Sequence, residues 1–304
     1  MVIEAVGEMV EVARRSGAPL HLSHLKVIGN EDRVEPLLEL IDDAARDVDL
    51  TFDQYPYGAG STTLAALLPP WAQADGREAT LGRLSEPGVR RELVRDIETG
   101  LPGWENIYAS CGSNRIVVVD APRTHAELIG RSLAEIGTER RIDPVVAVLD
   151  ILLETGLGLT MIDHYATEHV VRRIFTHPRA LVGSNGIFGA HPHPRLHATA
   201  ARVLGRYALR EGLITAEEAV ARLTSRPADR LGLADRGRIR VGLRADLVLL
   251  DPATYVDTAT YEDPDQSPPG VAAVFVGGRL IHRAGQATGE RPGEVVRTPR
   301  GIQP

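Results

Sequence analysis

"VDLTFDQYPYGAGST", residues 48–62, sets the reading of the chain. Its first five residues suit a short buried strand, and the rest is a polar cluster stiffened by Pro56 and punctuated by glycines. The same pattern occurs in "APLHLSHLK" (18–26) and "ALVGSNG" (180–186), where a short apolar strand ends in polar residues. "NIYAS" (106–110) and "RIVVV" (115–119) also read as strands. Between them run segments of helical period. "EDRVEPLLELIDDAARD" (31–47) puts Val34, Leu37, Leu38, Ile41 and Ala45 on one face. "THAELIGRSLAEIG" (124–137), "DPVVAVLDILLETG" (143–156) and "TEHVVRRIFTHP" (167–178) read as helices too. Alternating strands and helices imply an α/β protein with a parallel sheet. Polar residues just past the strand ends mark where both (β/α)8 barrels and open α/β sheets carry their sites.

The first 17 residues, "MVIEAVGEMVEVARRSG", place Ile3, Val6, Val10 and Ala13 at helical spacing and stop at Gly17. They lack the charged and apolar regions of a signal peptide. A βα fold that opens on its α half leads to the expectation of a missing upstream portion. Past residue 200, "HATAARVLGRYALREG" and "TAEEAVARLTSRPADRLGL" read as helices, the second capped by Thr215 with Glu218 three residues on. "RGRIRVGLRADLVLLDP" (236–252) and "GVAAVFVGGRLIHRAG" (270–285) read as glycine-punctuated β hairpins, and the tail from Gln286 as irregular. The expected division is therefore 1–233 for the α/β part and 234–304 for a small β module and tail.

With 304 residues, 43% of them hydrophobic, the chain can bury a sizeable core. Lys+Arg 34 against Asp+Glu 41 gives a net charge of −7, which argues against nucleic acid or an anionic membrane as partner. The single cysteine, Cys111, excludes an internal disulfide and points to a reducing, cytoplasmic setting. No stretch approaches the roughly 18 apolar residues of a membrane span. The GxGxxG, GxxxxGK[ST] and GxSxG patterns are absent, which weakens nucleotide-binding and serine-hydrolase readings.

Of ten histidines, His125, His169 and His177 lie on or beside helices and read as structural. His24 follows a strand and precedes Lys26 by two residues. It is either a metal ligand or a buried, hydrogen-bonded histidine, because ligation needs other donors to converge with it. His21, three residues earlier, is expected on the opposite face, outside the site. Tyr55 and Ser61 either offer hydrogen-bond donors on a fixed loop or belong to an aromatic-anchored turn. "HPHPR" (191–195) presents His191, His193 and Arg195, and an arginine fork suits a carboxylate. Asn185 puts an amide in a glycine-flanked turn where a metal hydrolase would want a carboxylate.

In this order, "LSHLKVIG", "DQYPYGAGSTTLAALLPPWA", "GSNG", "HPHPR", "LTSRPADRLGL" and "RGRIRVGLRADLVLLDP" resemble the C-terminal part of the N-acyl-D-amino-acid deacylases (D-aminoacylases) of the amidohydrolase superfamily. The resemblance covers nearly the whole chain and thins around 80–160. It implies part of a (β/α)8, TIM-like amidohydrolase barrel with a small C-terminal β-sandwich module. It also implies zinc-dependent hydrolysis of an N-acyl-D-amino acid, a small-molecule substrate. His24 matches a metal ligand of the family, whose other ligands are expected upstream, and Lys26, Tyr55, Ser61 and Arg195 match positions that line the substrate site. The resemblance gives Lys26 and Arg195 the substrate carboxylate or carbonyl. Asn185 stands where the family has an aspartate that takes a proton from metal-activated water and passes it to the leaving amine. With no ionisable oxygen, Asn185 cannot do this, so the resemblance implies impaired catalysis. The alternatives are a ligand-binding homologue without chemistry, an incomplete fragment, an engineered trap, or an Asn185–Gly186 pair that converts to aspartate.

Overall fold

The computed structural model describes residues 2–297. Three strands form a parallel sheet in the order β1 (Leu20–Leu22), β2 (Leu50–Gln54), β6 (Ala180–Val182). Leu20 pairs with Leu50 and Leu22 with Phe52, and Phe52 in turn pairs with Ala180. Strand alternation puts Leu50, Phe52 and Ala180 on one face, all fully buried. The helices Val2–Ser16, Val34–Ala44 and Glu168–Phe175 cover that face through Val6, Val10, Leu37, Ile41 and Ile174. His21, Thr51 and Asp53 therefore point to the other face.

Between β2 and β6 the chain builds a second, antiparallel sheet from β3 (Ala59–Thr63), β5 (Thr160–His164) and β4 (Ile116–Asp120). The helices Pro87–Thr99, Leu133–Arg140 and Pro144–Glu154 pack there around Leu64, Leu67, Val148 and Met161. A third sheet, β10 (Gln286–Ala287), β9 (Arg279–Arg283), β8 (Val271–Val276) and β7 (Leu247–Leu250), is an antiparallel meander near the end of the chain.

The parallel sheet was foreseen; the antiparallel insertion was not. "YPYGAGST", read as a loop, contains most of β3. "NIYAS", read as a strand, is the helix Ile107–Cys111, because the Asn106 side chain accepts the Ala109 N–H at 2.9 Å and caps it. The helix expected over 124–137 breaks in two at Gly130, whose φ of 81° no helix tolerates. It restarts at Ser132, which forms a reciprocal capping box with Glu135. Only Leu247–Leu250 of the hairpin expected over 236–252 is strand. Arg236, within the irregular part, pairs with Asp235 and Asp246. The tail beyond Gln286 contributes the short β10, and residues 298–304 lie outside the described ones.

Candidate active site

A residue singled out from the sequence follows each parallel strand, His24 after β1, Tyr55 after β2 and Asn185 after β6, but the chain leaves β1 earlier than its pattern suggests. The strand stops at Leu22, so residues 23 and 24 form a turn and strand alternation no longer relates His24 to His21. His21 is thereby part of the site's scaffold rather than outside it. Its Nδ1 lies 2.7 Å from Thr51 Oγ1 and its Nε2 lies 2.9 Å from Asp53 Oδ2. The other Asp53 oxygen accepts the His24 backbone N–H at 2.8 Å. A Cβ on Gly183 would overlap the Asp53 carboxylate, so glycine is required where the third strand end passes over it. Asp53 thus holds the turn carrying His24 and lies against Gly183, where the chain enters the turn carrying Asn185. Both turns use left-handed backbone at a non-glycine residue, φ 43° at His24 and 45° at Asn185. Burial opposes the Asp53 charge, yet the His21 ring and the His24 N–H hold its carboxyl below the usual carboxylate range. An Asp53→Ala variant leaves two donors without their acceptor and is expected to lose about 1–3 kcal/mol of stability. Urea unfolding checks this, and Asp53→Asn should recover part of the loss.

Lys26, Tyr55 and Arg195 come together beside this scaffold. Lys26 Nζ donates to Tyr55 Oη at 3.4 Å, and the Arg195 guanidinium lies 4.5 Å from the centre of the Tyr55 ring. Ser61 joins through its backbone carbonyl, which accepts Arg195 Nη2 at 3.3 Å. Arg195 is 1% exposed, and its Nε and Nη1 have no partner among the described residues. Two donors of a buried cation are therefore unsatisfied, a costly arrangement. His193 positions this arginine. It is buried, donates from Nε2 to the Ala59 carbonyl at 3.0 Å, and accepts the Arg195 N–H on Nδ1 at 3.0 Å. Burial and the Arg195 charge hold it neutral, well below the usual histidine range.

Two further residues belong to this cluster. Asp163, on β5, is 2% exposed, and burial pushes its carboxyl up to about 6 against the pull of Lys26 and Arg195. Tyr165 donates to Tyr55 Oη at 3.3 Å, and its ring lies 5.4 Å from Lys26 Nζ. The signal for both was present in "TMIDHYA" (160–166), another apolar strand ending in polar residues. The Cys111 thiol, by contrast, is buried and pushed up to about 12 by that burial, which leaves no thiolate nucleophile.

His24 and Asn185 stand apart from the Lys26–Tyr55–Arg195 cluster. Both are exposed, and neither side chain has a hydrogen-bond partner among the described residues. His125 bonds its neighbour Thr124, and His177 reaches across to Asp42 at 3.1 Å, both outside the site. Among the described residues no three His, Cys, Asp or Glu side chains converge as a metal site needs. His24 is one imidazole donor without a surrounding set.

Polar residues just beyond the strand ends of a parallel sheet mark where α/β folds carry their sites. Residues 114–282 match the model of the amidohydrolase family, and the chain belongs to that family. It is 34% identical over 302 residues to the N-acyl-D-glutamate deacylase of Alcaligenes xylosoxydans xylosoxydans, covering 98% of this chain and 52% of that one. It is 33% identical to the D-aminoacylase of the same organism, over 97% of this chain and 52% of the relative. The solved N-acyl-D-glutamate deacylase of Bordetella bronchiseptica, complexed with zinc and a phosphonate inhibitor, superposes with a TM-score of 0.77 at 31% identity. That match covers 97% of this chain and 53% of the solved one. The chain thus spans about half the length of these relatives.

Proposed function

We propose that this chain forms the substrate-holding side of an N-acyl-D-amino-acid deacylase site, on part of a (β/α)8 barrel. Residues 1–233 are proposed as the barrel portion and 234–304 as a small β-sandwich module and tail, in a cytoplasmic protein. The observation that carries the reading is the buried Arg195 with two unpartnered donors beside Lys26 and Tyr55. Two cations face one buried acid, Asp163, so the cluster has an unbalanced positive charge. That suits a carboxylate beside an amide, which is the chemistry of an N-acyl amino acid. Tyr55 and Ser61 would orient it. His24 is proposed as one ligand of a zinc centre whose remaining donors the described residues do not supply.

Asn185 favours a second reading, ligand binding without turnover, because an amide cannot shuttle the proton that amide hydrolysis requires. Both readings require recognition of an N-acyl-D-amino acid. Equilibrium binding and hydrolysis of N-acetyl-D-glutamate and N-acetyl-D-leucine, each against its L isomer, test this. Preference for the D isomers, weakened at least about tenfold by Lys26→Ala or Arg195→Met, is the expected result. Equal binding of D and L isomers would sink both readings.

A further inference from the structure

The connection between β7 and β8 takes up residues 251–270, against the roughly 2–5 residues of an ordinary hairpin loop. Its length is used to reach back to the α/β part. It crosses the helix Arg195–Ala201 and the π-helical turns Arg202–Arg210 that continue it. Arg210 Nη1 donates to the Tyr255 carbonyl at 2.6 Å, while Arg202 and Arg206 both reach the buried Asp257, at 3.2 and 2.8 Å. A Cβ on Gly205 would come within 2.9 Å of Val256 Cα, so the crossing depends on a residue without a side chain. Further along, His197 Nε2 lies 3.3 Å from Asp265.

Fastened on both sides, the segment carries Tyr261 to the two histidines of "HPHPR". The Tyr261 carbonyl accepts the His191 Nε2–H at 2.8 Å. Its ring meets the His193 ring at 5.1 Å and 80°, and Tyr57 meets the same ring at 5.2 Å and 86°. His193 is thus held edge to face by two aromatic rings, a geometry with a narrow choice of tilt. Its nitrogens are both committed, Nε2 to the Ala59 carbonyl and Nδ1 to the Arg195 N–H. A tilt of His193 therefore moves the backbone from which the Arg195 side chain starts. The Tyr261 hydroxyl has no hydrogen-bond partner among the described residues, so its ring and carbonyl do the holding.

We infer that residues 251–270 form a positioning strap for the substrate-holding cluster, and that Tyr261 is a positioning residue acting on Arg195 through His193. The inference rests on the reading of Arg195 as an anchor for the substrate carboxylate. The strap belongs in sequence to the terminal β sheet, so that sheet takes part in recognition by way of one loop. The arginines on Asp257 set where the strap lies, Tyr261 sets the His193 ring, and His193 sets Arg195. Misplacing such an anchor by even about 1 Å is costly to the substrate geometry it serves.

The test reads two properties of the full chain, the His193 imidazole nitrogens by NMR between roughly pH 5 and 8, and equilibrium binding of N-acetyl-D-glutamate. Arg195, Arg202, His164, Tyr55, Tyr57 and Tyr261 face the His193 ring. The parent should show one neutral ring protonated at Nε2 throughout, because burial and the two arginines oppose a second proton. Tyr261→Phe keeps ring and carbonyl and should match the parent in both readouts. Tyr261→Ala admits water to His193, whose ring should then titrate towards the ordinary value of about 6.5, and binding should weaken about tenfold or more. Should Tyr261→Ala fail to fold, Tyr261→Leu fills the space without an aromatic ring, and a shifted His193 signal with a severalfold loss of binding is expected. An unchanged His193 signal in the alanine or leucine variant overturns the inference. So does parent-like binding once that signal has shifted, or a loss in Tyr261→Phe as large as in the others. Failure of the first-site reading looks different: the parent shows no preference for the D isomer although its His193 signal still follows Tyr261.

Discussion

Replacing Asn185 with aspartate is expected to raise the rate of N-acyl-D-amino-acid hydrolysis by roughly 10²–10⁴-fold, the usual worth of a general acid–base group. The substitution is nearly isosteric, and aspartate tolerates left-handed backbone as asparagine does, so the turn at φ 45° should persist. The residue is exposed and its side chain has no hydrogen-bond partner to lose among the described residues. A carboxylate there could accept the proton of the attacking water and deliver it to the departing amine. The measurement is turnover of the Asn185→Asp variant beside the parent, both of known intact mass, with zinc in the buffer. No gain in rate would turn the proposal towards binding without chemistry. Ageing offers an internal control. Asn185 precedes Gly186, whose N–H is held only by Ser184 Oγ at 3.3 Å, so the pair is open to cyclisation. Peptide mass spectrometry of aged protein that finds only the amide removes spontaneous conversion as a route to activity.

The second large effect belongs to Asp163. Its folded-state pKa of about 6 lies above the ordinary 3.8, so the folded protein binds more protons than the unfolded chain between those values. Its contribution to stability is therefore fully present below about pH 4 and is lost as pH rises through 6. At 1.36 kcal/mol per pKa unit the loss amounts to about 3 kcal/mol by pH 7.5. Asp163→Asn should remove this component, making the variant more stable than the parent at pH 7.5 and flattening its urea-unfolding profile between pH 4.5 and 7.5. Parallel profiles for parent and variant would refute the assignment. The carboxylate also lies tight against β3, since a Cβ on Gly60 would come within 2.7 Å of Asp163 Oδ1. A buried acid retained at such cost beside Lys26 and Arg195 is consistent with tuning the charge that meets a substrate carboxylate.

The sequence showed the strand ends more clearly than the sheets. "LHLS", "LTFDQ" and "LVGSNG" each carry an apolar-to-polar step, and the structure joins all three in one parallel sheet. Tyr55, Lys26 and Arg195 were legible for the same reason: each follows a strand or a proline-held segment. The antiparallel insertion was obscured because β3, "AGSTT", has small polar residues in place of branched apolar ones. Its strand character comes from pairing with β5, a partner about a hundred residues away that local propensity cannot register. His21 was misplaced because alternation was carried past the end of a three-residue strand. Asp53 was overlooked because its role depends on Gly183, which is distant in sequence and touches it only after folding.

The insertion also sets a timetable. β2 pairs with β1 from nearby in the chain, but its other neighbour, β6, follows only after residues 55–179. At about 5–20 residues per second, the ribosome needs on the order of ten seconds to deliver that stretch. Throughout that interval the free edge of β2, with the fully apolar Leu50 and Phe52 behind it, waits as an open template for any other strand. Sheet closure is thus a late, long-range event in the folding of this chain.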